Sequence, residues 1–384
     1  MWHNPSMFLP TLLSLFYFFY FSVVGVYLIF LPKVLSEVGY SAEQIGVVFA
    51  AAPLVRFILP FLFIKGLKIN RTTFNVSLLI MVVSSGAFYL SLENFYMLIV
   101  SNVFLGVGLS LVNPYIEVIS LQVVGKERYG KIRLYGSVGF VLVALVLVKA
   151  LTSESGGLNS PYIALNFLFT LTLITAFVSY VIAHQVAKKE EKKSESPRND
   201  IDLLKDYRLW LGLVLMQVSF GSFYNFFTIY ATDNGISLDT TIYLWSFGVG
   251  AEIVMLYFQG RFLRSNLLFI LQLTAFITAI RWFLVYAYAQ NIGVLYFSQM
   301  LHAFSFALFH SAAISYLHTL YKHKALAQQF FSGVAYGLGG LLGALLAGFI
   351  YERFGEYLFL SSSLIAFGAF VSFFLWQKKV KLLG

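Results

Sequence analysis

The chain has 384 residues, of which 59% are hydrophobic, 18% aromatic and only 11% charged, with a mean hydropathy of +0.80. Soluble domains carry about 25% charged residues, so a soluble globular fold, a disordered chain and a nucleic-acid-binding reading of the formal +9 charge are all excluded. Cysteine is absent, which removes disulfides, Cys-ligated zinc and thiol catalysis.

A membrane helix needs about 20 apolar residues. Runs of that length fall at roughly 8–32, 43–64, 73–92, 95–120, 134–151 and 161–184, and again at 208–232, 240–260, 266–289, 292–319, 327–350 and 357–376. They are continuous, without the alternation of a β-barrel strand. No Lys or Arg precedes the first run, so it is expected to be a retained span and not a cleaved signal. The predicted fold is an all-α membrane protein with twelve transmembrane helices in two pseudo-symmetric six-helix halves, 1–184 and 207–384. The polar stretch 185–206, with KKEEKKSESPRND, reads as a solvated cytoplasmic linker.

Basic residues set the orientation. Twenty-one Lys and Arg lie in the loops after spans 2, 4, 6, 8 and 10 and at the C-terminal end, and three lie at the opposite edges. Both termini are therefore expected in the cytoplasm, and the positive charge reports topology. The halves also read as weak repeats. YGSVGF (135–140), which opens span 5, is matched at an offset of about 197 by Ser332-Gly333, which opens span 11 and is followed by Tyr336-Gly337, and Gly339 and Gly343 form a GxxxG pair suited to close helix packing. Helix packing alone, or a sliding surface during transport, would explain these small residues.

Ionisable residues inside a bilayer are costly and mark functional sites. Arg56, Glu117, Glu252, Arg281, His302 and His310 lie within spans, and Arg133 opens span 5. Asn113 and Pro114 immediately precede Glu117, and the proline loosens that helix. Glu117 with Arg133 reads as a polar-solute clamp or as a structural salt bridge at a helix end. Glu252, Arg281 and His302 read as a protonation switch, because burial disfavours a charged carboxyl and an approaching guanidinium favours it, or as a static network. Arg56, offset by 196 from Glu252, faces a central cavity or packs against Glu117. His310 lies about 80° around a helix from His302 at 100° per residue, so a metal pair is not expected. No metal site and no cofactor is predicted. There is no Walker A, HExxH or GxSxG motif, and an enzyme is not expected.

Several stretches carry a resemblance: GYSAEQIGVVFAAAPLVRFILP (39–60), NPYIE (113–117), YGKIRLYGSVGF (129–140), GAEIVMLYFQGRFL (250–263), Arg281-Trp282 and LHAFSFALFHSA (301–312). With six plus six spans, the chain resembles the major facilitator superfamily, its lactose-permease-like branch, and within that the phenylpropionate permease family. The resemblance implies that Glu117 and Arg133 bind substrate, with Phe140 as the stacking ring and Arg56 and Asn113 beside them. It implies proton coupling through Glu252, Arg281 and His302, with His310 a further candidate. Ser305 stands where the branch carries a second Glu, and the segment 65–71 keeps the Gly and the bases of the superfamily's loop signature but lacks its Asp. The expected activity is alternating-access secondary transport of a small organic solute across the cell inner membrane by proton symport, with the solute a phenylpropionate-like aromatic acid, a sugar or a nucleoside. The site is expected near the membrane midplane between the halves. The expected partners are a small-molecule substrate, protons and the lipid bilayer, with no nucleic acid, and the chain is expected to act as a monomer. Efflux by proton antiport is the alternative within transport, and a polytopic membrane enzyme or sensor is the alternative outside it.

Overall fold

Eleven stretches are helical, long and apolar enough to cross a membrane in the computed structural model, which describes residues 5–67, 70–151, 160–186, 201–264 and 266–383. The first ten are α1 (Phe8–Val38), α2 (Ala42–Phe63), α3 (Arg71–Ser91), α4 (Phe95–Gly125), α5 (Arg128–Leu151), α6 (Pro161–Val186), α7 (Tyr207–Asp233), α8 (Leu238–Phe258), α9 (Leu267–Ala287) and α10 (Ile292–Leu320). The eleventh, Leu326–Val380, is interrupted by the 3₁₀ turn Gly355–Tyr357. It divides into α11 (324–354) and α12 (Leu358–Leu383), which brings the count to the twelve spans predicted. No strand occurs among the described residues. The chain is an all-α, multi-pass membrane protein. Most of the predicted linker (187–200), and Lys68 and Ile69 of the loop after α2, lie outside the described residues.

The sequence sets the helix ends locally. Asn70, Ser237, Asn266 and Asn291 cap α3, α8, α9 and α10, each side chain accepting a backbone N–H of the first turn that would otherwise lack a partner. α4 and α5 form one helical run broken at Gly125, whose φ of 74° and ψ of 165° suit glycine.

Two of these ends reveal the internal repeat directly. After α1, Gly39 adopts φ 108°, its N–H bonds the Ser36 carbonyl at 3.1 Å, and the Tyr40 N–H reaches the Leu35 carbonyl at 3.0 Å. After α7, Gly235 adopts φ 85°, its N–H bonds the Thr232 carbonyl at 3.0 Å, and the Ile236 N–H reaches Ala231 at 3.0 Å. The next residues, Ser41 and Ser237, then accept from Gln44 and Thr240 N–H at 3.3 and 3.2 Å. The two turns are offset by 196 residues, the offset that relates Arg56 to Glu252.

By contact the chain divides into two units: Met1–Tyr40 with Phe63–Glu195, and Ser41–Leu62 with Ser196–Gly384. In the first unit α1 lies against α5. A Cβ on Gly139 would sit 2.1 Å from the Phe18 carbonyl oxygen, and the Ser22 hydroxyl donates between the carbonyls of Phe18 (2.8 Å) and Gly139 (3.0 Å). Exposed Val76, Leu79, Val83 and Leu90 of α3 recur at helical spacing, an apolar stripe suited to lipid.

The second unit holds α2 as well as α7 to α12. A Cβ on Gly343 would sit 2.8 Å from the Val218 oxygen of α7, and one on Gly339 the same distance from Gln217. Along its other side α11 meets α2 in an antiparallel ladder: Gly348 on Gly46, Gly340 on Pro53, Gly337 on Phe57 and Gly333 on Pro60. The small residues of span 11 thus face two neighbouring helices. At one end of the ladder the Ala42 N–H donates to Glu352 Oε2 at 2.7 Å, and Arg353 pairs with Glu43.

Candidate functional site

In the first unit the candidate residues gather on α4 and α5 opposite the aromatic start of α1. Glu117, half-buried, accepts the Tyr129 hydroxyl at 2.7 Å. The Tyr17 hydroxyl donates to Ser120 Oγ at 3.3 Å. The Arg133 guanidinium lies over the Phe21 ring, 3.8 Å from its centroid, and 5.6 Å from that of Tyr17. Among the described residues no ion pair joins Glu117 to Arg133, so the salt-bridge alternative drops out in this conformation. The carboxylate is held by a phenol and the cation by a ring face, which leaves guanidinium donors available to a ligand. Asn113 Oδ1 is buried without a hydrogen-bond partner. Phe140 packs against Gly25 of α1: a Cβ there would lie 3.4 Å from its ring. A separate open groove of about 350 Å³ in this unit is lined by Thr11, Leu15, Phe18 and Tyr135 among others and includes none of the five substrate candidates.

In the second unit α9 and α10 build a polar centre on Arg281, which is fully buried. Its Nη1 donates to His302 Nδ1 (2.9 Å) and Ser305 Oγ (2.9 Å), and its Nη2 donates to Gln299 Oε1 (3.0 Å). Trp282 and Phe223 flank the guanidinium, their centroids 4.3 and 4.5 Å from Cζ, a cation–π contact worth ~2 kcal/mol when desolvated. A guanidinium only donates. His302 Nδ1 must therefore be the acceptor, and its proton sits on Nε2, which faces Glu252 Oε2 at 3.8 Å. Glu252, His302 and Arg281 thus lie in series, with the His302 tautomer set by Arg281. Ser305 occupies a place directly on Arg281 but supplies only a neutral oxygen.

His310 lies on the same helix. Its Nδ1 is 2.7 Å from the Tyr336 hydroxyl of α11. The α-helical wheel separates His302 from His310, yet a π-helical segment, Ala303–Leu308, lies between them. The wider i→i+5 turn rotates less per residue, so four residues come close to one full turn. His302, Phe306 and His310 consequently form a ring column. Phe306 stacks 5.2 Å from His302 at 7° and 6.2 Å from His310 at 21°. A second π segment, Phe331–Leu338, carries Tyr336. Arg56 is exposed and falls in this second unit. Tyr224 and Tyr336 lie within electrostatic reach of both Arg56 and Glu252. Glu117 falls in the other unit.

Sequence reasoning missed Tyr129, Gln299, Phe223, Phe306 and Tyr336, while Tyr17 and Phe21 belong to the aromatic run Phe16–Phe21, of which one or two rings were expected to line a cavity. Of those missed, only Tyr129 had an available signal, at twelve residues after Glu117 across the Gly125 break. Among the described residues no cluster of three or more His, Cys, Asp or Glu could hold a metal ion.

Comparison with known proteins places the fold and the family. A family profile described as "MFS_1 like family" matches residues 11–361. The chain is 25% identical over 376 residues to the "Probable 3-phenylpropionic acid transporter" of Escherichia coli (strain K12), covering 93% of this chain and 95% of that protein. It is 26% identical over 373 residues to the "Maltose permease" of Geobacillus stearothermophilus, covering 91% of each. Among solved structures it resembles the nucleoside transporter NupG, with a TM-score of 0.75 at 16% identity over 97% of this chain and 99% of that one. It also resembles the tetrameric PepTSo2, with a TM-score of 0.74 at 11% identity over 99% and 100%.

Proposed function

The chain belongs to the MFS_1 like family, and from that membership we propose that it is a proton symporter of a small aromatic carboxylate. That it is a transporter and not an enzyme follows from the family and its relatives. The substrate, the coupling ion and the direction are our reading. The protein works by alternating access in the cell inner membrane as a monomer, with both termini cytoplasmic and the six-span halves 1–184 and 207–384 as the moving bodies.

In the first unit Arg133 takes the solute carboxylate through donors that no protein carboxylate occupies. Phe21 and Tyr17 offer ring faces, Phe140 limits the site on the α1 side, and Glu117 and Asn113 fix orientation through their oxygens. Arg56, exposed and cationic, assists entry of an anion. The supporting likeness is to a protein whose name specifies 3-phenylpropionic acid. Names specifying maltose or nucleosides favour hydroxylated solutes, for which two unopposed guanidinium groups are poorly matched.

Proton coupling rests on the second unit. Glu252 takes and releases the proton. His302, held with its N–H toward Glu252, transmits the state of that carboxylate to Arg281, and His310 with Tyr336 extends the path through the π segments. The observation that carries this reading is the Glu252–His302–Arg281 relay, with its contacts of 3.8 and 2.9 Å. The test is uptake of radiolabelled 3-phenylpropionate by proteoliposomes under an imposed pH gradient. Accumulation that collapses with a protonophore supports symport; uptake indifferent to the gradient rejects it.

A further inference from the structure

The Arg281 centre is electrically incomplete. The guanidinium is fully buried, and every atom that accepts from it belongs to a neutral group: His302 Nδ1, Ser305 Oγ and Gln299 Oε1. Among the described residues no carboxylate lies within ion-pair distance of it. Glu252 lies 3.8 Å from the far nitrogen of His302.

The donors around Arg281 are also incomplete. Because Arg281 only donates, Gln299 must turn its oxygen toward Nη2, and its amide nitrogen then points elsewhere. Gln299 Nε2 and Arg281 Nε are both buried with no hydrogen-bond partner, and Gln299 itself has no exposed surface. Flipping the Gln299 amide cannot repair this, since it would set an N–H against a guanidinium. Nε and Nη2 share one edge of the guanidinium, and Gln299 Oε1 takes the Nη2 donor at 3.0 Å. Two unsatisfied N–H donors beside an unneutralised buried cation, walled by Trp282 and Phe223, ask for a small anion.

We infer that a halide-sized monovalent anion binds in the second unit between Arg281 Nε and Gln299 Nε2 and serves as the resident counter-ion of Arg281. It stands in for the carboxylate that position 305 does not provide. Halide suits the place better than water, because both open groups are donors and the local charge is positive. Its residues belong to the second unit, whereas Arg133, to which the solute carboxylate is assigned, belongs to the first.

The test uses the purified full-length chain in detergent, in gluconate buffer of constant ionic strength, titrated with chloride, bromide or acetate while thermal unfolding is followed. A ligand that binds only the folded state raises its melting temperature. The expected result is a saturable rise with chloride and bromide, little with acetate, and none in Gln299→Glu, which places a carboxylate oxygen on Nη2 and already melts high in gluconate. No halide effect on the wild type, or an equal effect on Gln299→Glu, overturns the inference. A rise with acetate alone overturns the halide assignment.

Bromide quenching of tryptophan fluorescence is the second measurement and needs no charged variant. The wild type should show a saturable component that Trp282→Phe lacks; its absence from the wild type overturns the inference. Displacement of that component by 3-phenylpropionate would mean that the solute, and not a resident ion, neutralises Arg281. None of these readouts involves a gradient or flux, so failure of symport leaves them unaffected.

Discussion

Alanine at Gly46 should destabilise the protein, whereas alanine at Gly250 should not. The chemical change is the same, and both glycines lie inside helices. The surroundings differ. A Cβ on Gly46 would lie 2.6 Å from the Ala344 carbonyl oxygen and 3.0 Å from Gly348 Cα, whereas one on Gly250 meets nothing within 4 Å. Ordinary contact begins at 3.4 Å, so α2 must draw back from α11 by ~0.8 Å, and no side chain can rotate aside because both obstacles are backbone. A gap of 0.5–1 Å forfeits about a quarter to a half of each dispersion contact, and the ladder at Pro53, Phe57 and Pro60 is loosened with it. Overpacking of this kind costs ~1–3 kcal/mol. Alanine recovers ~0.5–1 kcal/mol of helix propensity at either site, so that gain cancels when the two variants are compared. Gly46→Ala should therefore be less stable than Gly250→Ala by ~1–3 kcal/mol, read by denaturant or thermal unfolding of the purified protein in one detergent. Equal stability of the two variants would refute the close α2–α11 contact.

Other expectations are more local. Asn266→Ala should cost ~0.5–2 kcal/mol, because that side chain accepts two N–H groups of α9; unchanged unfolding would deny the cap. Arg353→Gln should shift stability by no more than ~1 kcal/mol, since its pair with Glu43 is largely exposed. The absence of native cysteine makes the double variant Glu43→Cys/Arg353→Cys a clean cross-linking probe. Oxidation should fasten α2 to α11 and stop uptake, and reductant should restore it; uninterrupted uptake of the oxidised protein would show that this end need not open. Tyr129→Phe frees Glu117 and should alter the KM for solute while leaving dependence on the pH gradient intact, and an unchanged KM would remove Glu117 from the solute site.

Much of the fold was legible because lipid imposes simple demands. Every span needs a long apolar run, and each of the twelve predicted runs became a helix, although α1 runs on to Val38, α5 begins at Arg128 and α12 runs on to Leu383, beyond the ends expected. The repeat offset was readable from Arg56 and Glu252, and the turns at Gly39 and Gly235 repeat it in backbone geometry. The intramembrane charges were readable because so few exist. Their partners were not. Glu117 was expected to meet Arg133, yet Tyr129 holds the carboxylate and Phe21 the cation, because tertiary placement decides which neighbour arrives first. The column of His302, Phe306 and His310 was hidden because a periodicity of 100° per residue assumes an α-helix throughout, and Ala303–Leu308 is a π segment. Gln299 carries no distinguishing signal in sequence; its importance comes only from facing Arg281.

The most direct test of proton coupling through the Glu252–His302–Arg281 relay is Glu252→Gln in proteoliposomes, with gradient-driven accumulation and solute counterflow measured on the same preparation. Counterflow needs solute binding and alternating access but no net proton movement. Coupling at Glu252 predicts that the variant loses accumulation under the pH gradient and keeps counterflow. Accumulation equal to that of the wild type would contradict it.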